Sequence, residues 1–201
     1  PFFFTGVPTH IKRISDFFYD KTNLIVCIAF IGIMVTYASL VLGGKSACFQ
    51  DQLPEGTKVL GLKTGYTFDY ALTLFKSLNE EGIRCYQDFI SIWDNIFPLL
   101  YGTMYIFFLS LIYRKTTLKF PKFRLINLFP IIPAGLDWLE NVFELRLVNH
   151  FAEWNNLIVG EVTTASFFSQ LKWGGSAVNY IIIVIGLILL IIDKLTAPKS
   201  S

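Results

Sequence analysis

Four apolar runs separated by polar, charged connections set the pattern of this chain. The first, Leu24 to Leu42, contains no charged residue and matches the about 20 apolar residues a helix needs to cross the hydrocarbon core of a bilayer. The second, Ile92 to Tyr113, carries Asp94 and Asn95 near its start and Pro98 soon after, then continues as a long uncharged segment. The third, Leu125 to Val148, is the least regular, with Pro130 and Pro133 early and Asp137, Glu140, Asn141, Glu144 and Arg146 behind them. The fourth, Ala177 to Ile192, is almost pure Ile, Val and Leu. It is short for a span, so its helix is expected to begin upstream near Thr163 or Ser166 and to pass Gly174 and Gly175, a pair that can bend a helix. These patterns predict an all-α polytopic membrane protein: a single transmembrane domain over residues 1–201, built as an antiparallel bundle of four transmembrane helices at about 24–42, 92–113, 125–148 and 166–193. The first run starts too far into the chain and lacks a small-residue cleavage site, so it is expected to remain a span and not to act as a signal peptide. Pro1 to Thr9 carry no assignment.

The connection from Gly43 to Ser91 is long for a bundle and is expected to hold structure of its own. Phe68, Leu72, Phe75 and Leu78 recur at helical spacing, with Thr67 or Thr64 as N-cap and Gly82 as a stop. Its basic residues are balanced by acids, which suits a solvated extracytoplasmic helical connection.

Orientation follows from the connections. Arg114, Lys115, Lys119, Lys122 and Arg124 lie between the second and third runs, Lys12, Arg13 and Lys21 precede the first, and Lys194 and Lys199 follow the last, whereas residues 149–160 contain no Lys or Arg. Basic residues beside spans are retained in the cytoplasm. Both termini are therefore expected inside, in a membrane of the bacterial inner (plasma) type, and an even number of crossings requires the third run to span.

Composition agrees: 53% of the 201 residues are apolar and 16% charged, with 20 Phe and 9 Tyr, which is too oily for an ordinary soluble domain. Of the three cysteines, Cys48 and Cys85 share the extracytoplasmic connection and are candidates for a disulfide, while Cys27 sits inside the first run. The two histidines, His10 and His150, flank the spans, which argues against bis-His haem and zinc hydrolase chemistry. The sequence contains no C-x-x-C and no phosphate loop, and no cofactor or metal is expected.

Candidate chemistry concentrates in the third run. At 100° per residue Asp137, Glu140, Asn141 and Glu144 fall within roughly a 100° arc of one helical face. Each ionisable group at the bilayer centre costs about 2.5–3.5 kcal/mol on insertion scales, so this stripe is expected to face the bundle. Asp94, Tyr101 and, at the margin, Asn95 form a matching face on the second run. On the approach to the fourth, Gln170 with Thr163 and Ser166 is expected to line the same cavity, with Lys172 reaching it only if the helix is rotated or kinked. Trp138 is a candidate aromatic wall.

The resulting site set is Asp94, Asn95, Tyr101, Asp137, Glu140, Asn141, Glu144, Gln170 and Lys172, handling a ligand or protons. Structural glue is the plainer role for Asn95, Asn141, Thr163 and Ser166, since polar groups between spans hydrogen-bond for about 0.6–2 kcal/mol each. Three function classes fit. The leading one is an acidic intramembrane pocket that binds or acts on a lipid-soluble small molecule. The others are an accessory subunit of a larger membrane complex, and a proton- or cation-coupled transporter working as an oligomer. The expected partners are the bilayer, such a ligand, and membrane-protein partners or further copies of this chain; nucleic acid is not among them.

Overall fold

The computed structural model describes residues 9–119 and 121–196, all helix and connecting turns, with no strand among them. Pro1–Pro8 and Lys199 lie outside the described residues. An amphipathic helix, α1 (Thr9–Lys21), precedes the first apolar run. Helix α2 runs from Leu24 to Gln50 and contains a π-helical stretch, Tyr37–Leu42. After a loop with a 3-10 turn at Leu60–Leu62 come α3 (Phe68–Ser77) and α4. Helix α4 joins Glu80–Asp88 through a π-helical stretch, Phe89–Trp93, to Asp94–Lys119. A 3-10 segment, Pro121–Leu128, leads to α5 (Ile131–Trp154), and α6 (Val159–Thr196) ends the described chain.

Among the described residues three helices are long and apolar enough to cross a membrane: Leu24–Gln50, Glu80–Arg114 and Val159–Thr196. Only 6% of the most apolar window of α2 and 17% of that of α6 is buried inside the protein. Ile25, Ile28, Ile33, Val184, Ile188 and Ile191 therefore point outward, as apolar residues do when their solvent is lipid.

The helices are longer than the apolar runs that announce them. Helix α2 passes Leu42 without a break, α4 begins 12 residues before Ile92, at Glu80, and α6 begins at Val159, because helical hydrogen bonding continues where the chain turns polar. Gly174 and Gly175, expected to bend the last helix, lie within an unbroken α6. Gly82, expected as a stop, lies in the first turn of α4. The break falls instead at extended Leu78, after which the Asn79 side chain accepts from the Gly82 N–H at 2.8 Å and starts the next helix. Thr67 caps α3 by accepting from the Tyr70 N–H. The third run shifts as well: 3-10 turns occupy Pro121–Leu128, and α5 starts at Ile131 behind Pro130, where a proline near the helix start displaces no intrahelical donor.

Two bodies of packing result. The larger buried cluster is a cap formed by the loop, α3, the start of α4 and the ends of α2, α5 and α6. Tyr86 is its hub, edge-on to both Phe49 and Phe75. Cys48 and Cys85 form a disulfide across it with Cα atoms 6.3 Å apart, while Cys27 is a buried free thiol. At the other end α1 docks on α4 and the 3-10 segment. The Ser15 hydroxyl bonds Asn127 Oδ1 and the Arg124 carbonyl, Asn127 donates to Ser110 Oγ, and Asp16 pairs with Arg124.

Between these ends α5 packs most fully on α6, and α4 contacts α2, α5 and α6. Glycines permit the closest approaches. A Cβ on Gly102 would stand 3.1 Å from the Ala134 Cβ, and one on Gly186 only 2.4 Å from Ile112 Cγ2 and 2.7 Å from the Tyr113 ring.

Gly186→Ala is therefore expected to force α4 and α6 apart at a cost of about 1–3 kcal/mol. Gly44→Ala, with nothing within 4 Å of the added carbon, should be neutral or slightly stabilising because alanine is the better helix former. Thermal unfolding of the two variants in detergent, followed by circular dichroism, checks this; equal melting temperatures would mean that the α4–α6 contact does not constrain the fold.

Candidate functional site: an acidic cavity under the cap

The polar stripe of α5 faces inward. Asp137, Glu140, Asn141 and Glu144 are all buried, with Glu140 and Glu144 completely so, whereas Trp138, Leu139 and Val142 on the other faces are exposed. This arrangement explains why α5 fails the apolar criterion that α2, α4 and α6 pass. Asp137, Glu140, Asn141 and Glu144 lower the mean hydropathy of the segment without being presented to the helix exterior, and Arg146, further along, is exposed.

The cation that meets the stripe is Lys172. Its ammonium lies 3.3 Å from Asp137 Oδ1, pairs more closely with Glu140 Oε2, and donates to the Gly61 carbonyl at 2.7 Å. An ammonium has three protons, and three acceptors surround this one. Gln170, expected to line the cavity ahead of Lys172, is exposed and packs its amide against Gly65. The inward face of α6 is thus turned by roughly 80° from the expected one, with Ser166 common to both, and the helix runs unbroken through its glycines. The inward face is Val162, Ala165, Ser166, Ser169 and Lys172, and Thr163 is exposed.

Ser166, Ser169 and Lys172 follow one another at intervals of three and fasten the loop to α6. The Tyr66 N–H donates to Ser166 Oγ at 2.8 Å, the Ser169 hydroxyl donates to the Lys63 carbonyl at 2.5 Å, and the Lys172 ammonium holds the Gly61 carbonyl. The loop is thereby laid over the carboxyls as a roof. A Cβ at Gly61 would stand 3.6 Å from Glu144 Oε2. The Tyr66 phenol in this roof is pushed well above its ordinary pKa by burial and then by Glu144 and Glu140.

Helix α4 supplies Tyr86 and Asp94. The Tyr86 hydroxyl donates to Glu144 Oε1, which leaves Glu144 Oε2 buried with no hydrogen-bond partner. Asp94 begins the α-helix after the π-helical stretch, and its backbone N–H bonds the Phe89 carbonyl five residues back. Such widened turns leave carbonyls needing donors, and they recur at functional sites. The Asn95 amide serves two of them, Ile90 and Ser91, each at 3.0 Å. Its side chain is therefore committed to its own helix. Trp138 is exposed and donates to the Asn95 carbonyl, so it is not in the cavity. Tyr101 lines the cavity and donates to the Pro133 carbonyl at 3.1 Å. The Asn141 amide is buried with neither atom hydrogen-bonded.

These side chains border a cavity of about 500 Å³, within the roughly 300–1,000 Å³ usual for small-molecule pockets. Asp94, Asp137, Glu144 and Lys172 line it toward the cap, and Phe97, Tyr101, Tyr105 and Tyr180 line it away from the cap. Glu140 is behind this wall, and Asn95, Asn141 and Gln170 are not part of it. Met34, Ala38 and Ser46 of α2 form the remaining side. Sequence reasoning missed Tyr86, Ser169 and Gly61. The i, i+3, i+6 recurrence of Ser166, Ser169 and Lys172 is the signal that could have set the face of α6. Among the described residues no three His, Cys, Asp or Glu side chains are grouped to hold a metal ion.

Lys172→Met should destabilise the protein by about 3–5 kcal/mol, because removing one partner leaves carboxyls buried without their cation. Adding Glu140→Gln should recover part of that loss, and Gln170→Ala should cost little. Denaturant unfolding in mixed micelles measures all three, and a Gln170→Ala loss as large as that of Lys172→Met would refute this assignment of the buried face. No protein family, curated protein or solved structure matches the chain.

Proposed function

We propose that this chain is a four-span membrane protein whose acidic cavity binds, or acts on, a lipid-soluble small molecule. The observation that carries the reading is the partly open 500 Å³ space with carboxyls at one end and aromatic rings at the other. Interhelical glue has no use for a cleft of this size between helices, nor for carboxyls where amides would serve.

The fourth crossing in this reading is α5. Its 24 residues extend about 36 Å at 1.5 Å per residue, more than the hydrocarbon thickness. Its inward polar stripe and exposed Ile131, Ile132, Leu139 and Val142 suit a helix that presents mainly apolar side chains to lipid, with exposed Arg146, Asn149 and Glu153 toward its outer end. With α5 crossing, α2, α4, α5 and α6 alternate in direction. The basic segments at Lys12–Lys21, Arg114–Arg124 and Lys194 then share the cytoplasmic side, and the disulfide-bonded cap lies on the opposite, oxidising side. A bacterial-type inner membrane accommodates that arrangement.

A second reading is supported by the first span. Helix α2 packs on α4 and makes no comparable contact with α5 or α6, so a partner protein could cover its exposed side in a larger complex. The transporter reading has weaker support, because the long helices of this chain are continuous where transporters break theirs at the binding site.

Accessibility labelling of single cysteines should place position 119 inside and positions 55 and 155 outside; finding 119 and 155 on one side would remove the fourth crossing. For the cavity, native mass spectrometry of protein extracted from its membrane should reveal a retained small molecule that Asp137→Asn loses while staying folded and inserted. Equal retention by that variant would remove Asp137 from the binding site.

A further inference from the structure

We propose that the occupant of the cavity is a single-chain amphiphile with a cationic head, such as a long-chain amine or ammonium, held by Asp94 and Glu144 with its tail lying between α2 and α6. This inference rests on the small-molecule reading of the cavity and adds the charge, shape and direction of the ligand.

The charge follows from which groups are already used. Asp137, Glu140, Glu144 and Asp94 gather at the cap end around one ammonium, that of Lys172. Lys172 donates to the Gly61 carbonyl and its charge is already shared between Asp137 and Glu140, so it does not neutralise the remaining carboxyls. Asp94 lines the cavity and pairs with no cation among the described residues. Glu144 lines it too, and its fully buried Oε2 has no hydrogen-bond partner although Tyr86 satisfies the other oxygen. A buried oxygen without a donor is costly, and an ammonium entering between Glu144 and Asp94 supplies donors to both. The rings of Trp173, Phe89 and Phe97 border the same space, and aromatic faces attract organic cations.

Shape and direction follow from the order of the lining along the helices. On α4 the sequence runs Asp94, Phe97, Tyr101, Tyr105, and on α6 it runs Lys172, Trp173, Ser176, Tyr180. Both pass from ionisable to aromatic residues away from the cap, and Tyr105 and Tyr180 close the far end by a 3.1 Å hydroxyl–hydroxyl bond. Asp94 to Tyr105 is about 16 Å of helix at 1.5 Å per residue, comparable with a chain of roughly a dozen carbons. Met34 and Ala38 of α2 face Ser176 and Tyr180 of α6 across the cavity. These two helices are not packed on each other to any comparable extent, so a tail can enter sideways from lipid.

The test uses the full chain in a neutral maltoside detergent with three probes of equal tail length: dodecylamine hydrochloride, dodecanol and dodecyl sulfate. Melting temperature is followed by intrinsic fluorescence, for wild type, Asp94→Asn and Glu144→Gln. The amine should raise the wild-type melting temperature by at least about 2 °C, more than the alcohol does, and either substitution should abolish that excess while keeping any response to dodecanol. Equal shifts from amine and alcohol, or an amine excess that survives both substitutions, would overturn the cationic head and leave the small-molecule pocket standing. A larger shift from dodecyl sulfate would reverse the sign of the ligand. Absence of a shift with every probe would count against the amphiphile and against the pocket reading together.

Discussion

The ammonium of Lys172 is the point on which the interior of this protein turns. It joins three elements: the acidic stripe of α5 through Asp137 and Glu140, its own helix α6, and the loop through the Gly61 carbonyl. Two carboxyls buried in low dielectric repel each other and lose their solvation, so a cation between them is the condition for bringing α5 and α6 into close packing. The same cation fixes the height of the loop. Ser169 and Ser166 then continue the attachment to Lys63 and Tyr66, and the roof over the carboxyls is set by three polar contacts along one face of one helix.

The chain satisfies two solvents at once. The cap is built as a soluble domain is built, with a buried aromatic cluster around Tyr86, capped helices and a disulfide. The lower parts of α2 and α6 invert that rule and turn their Ile, Val and Leu outward. Tyr86 belongs to both regimes. Its ring is packed between Phe49 and Phe75, and its hydroxyl meets Glu144, so the hydrophobic core of the cap positions one end of the acidic site.

The cavity exists because the helices are held together at their ends and spread between them. Near the cap, the disulfide and the Phe49–Tyr86 contact bind α2 to α4. Along its length α2 leans on α4 and leaves α6 uncovered. The π-helical stretches Tyr37–Leu42 and Phe89–Trp93 lie on facing parts of α2 and α4 and both contribute lining residues. Their wider turns are stabilised by side chains reaching freed carbonyls, Tyr37 to Trp93 and Asn95 to Ile90 and Ser91. Residues that looked like site chemistry in the linear pattern, Asn95 above all, turn out to maintain the backbone that shapes the site.

By itself the sequence determined the helical class, the apolar segments and the inward face of α5. Those properties depend on residue type and a 100° helical repeat, which sets the carboxyls of α5 on one face and its apolar residues on the others. The π-helical stretches of α2 and α4, the docking of α1 and the true face of α6 were decided only in the tertiary structure. The phase of α6 was misjudged because its later part is apolar all round and, in its first half, Thr163, Ser166, Gln170 and Trp173 compete with Ser166, Ser169 and Lys172 at neighbouring phases. The helical phase taken from Thr163 and Ser166 favoured Gln170 over Lys172, and the position of the loop reverses that order. Long-range partners settled the choice: Gly61 and Lys63 are more than 100 positions away from Lys172 and Ser169 in the chain, and no local pattern encodes a hydrogen bond between a side chain and a distant backbone carbonyl.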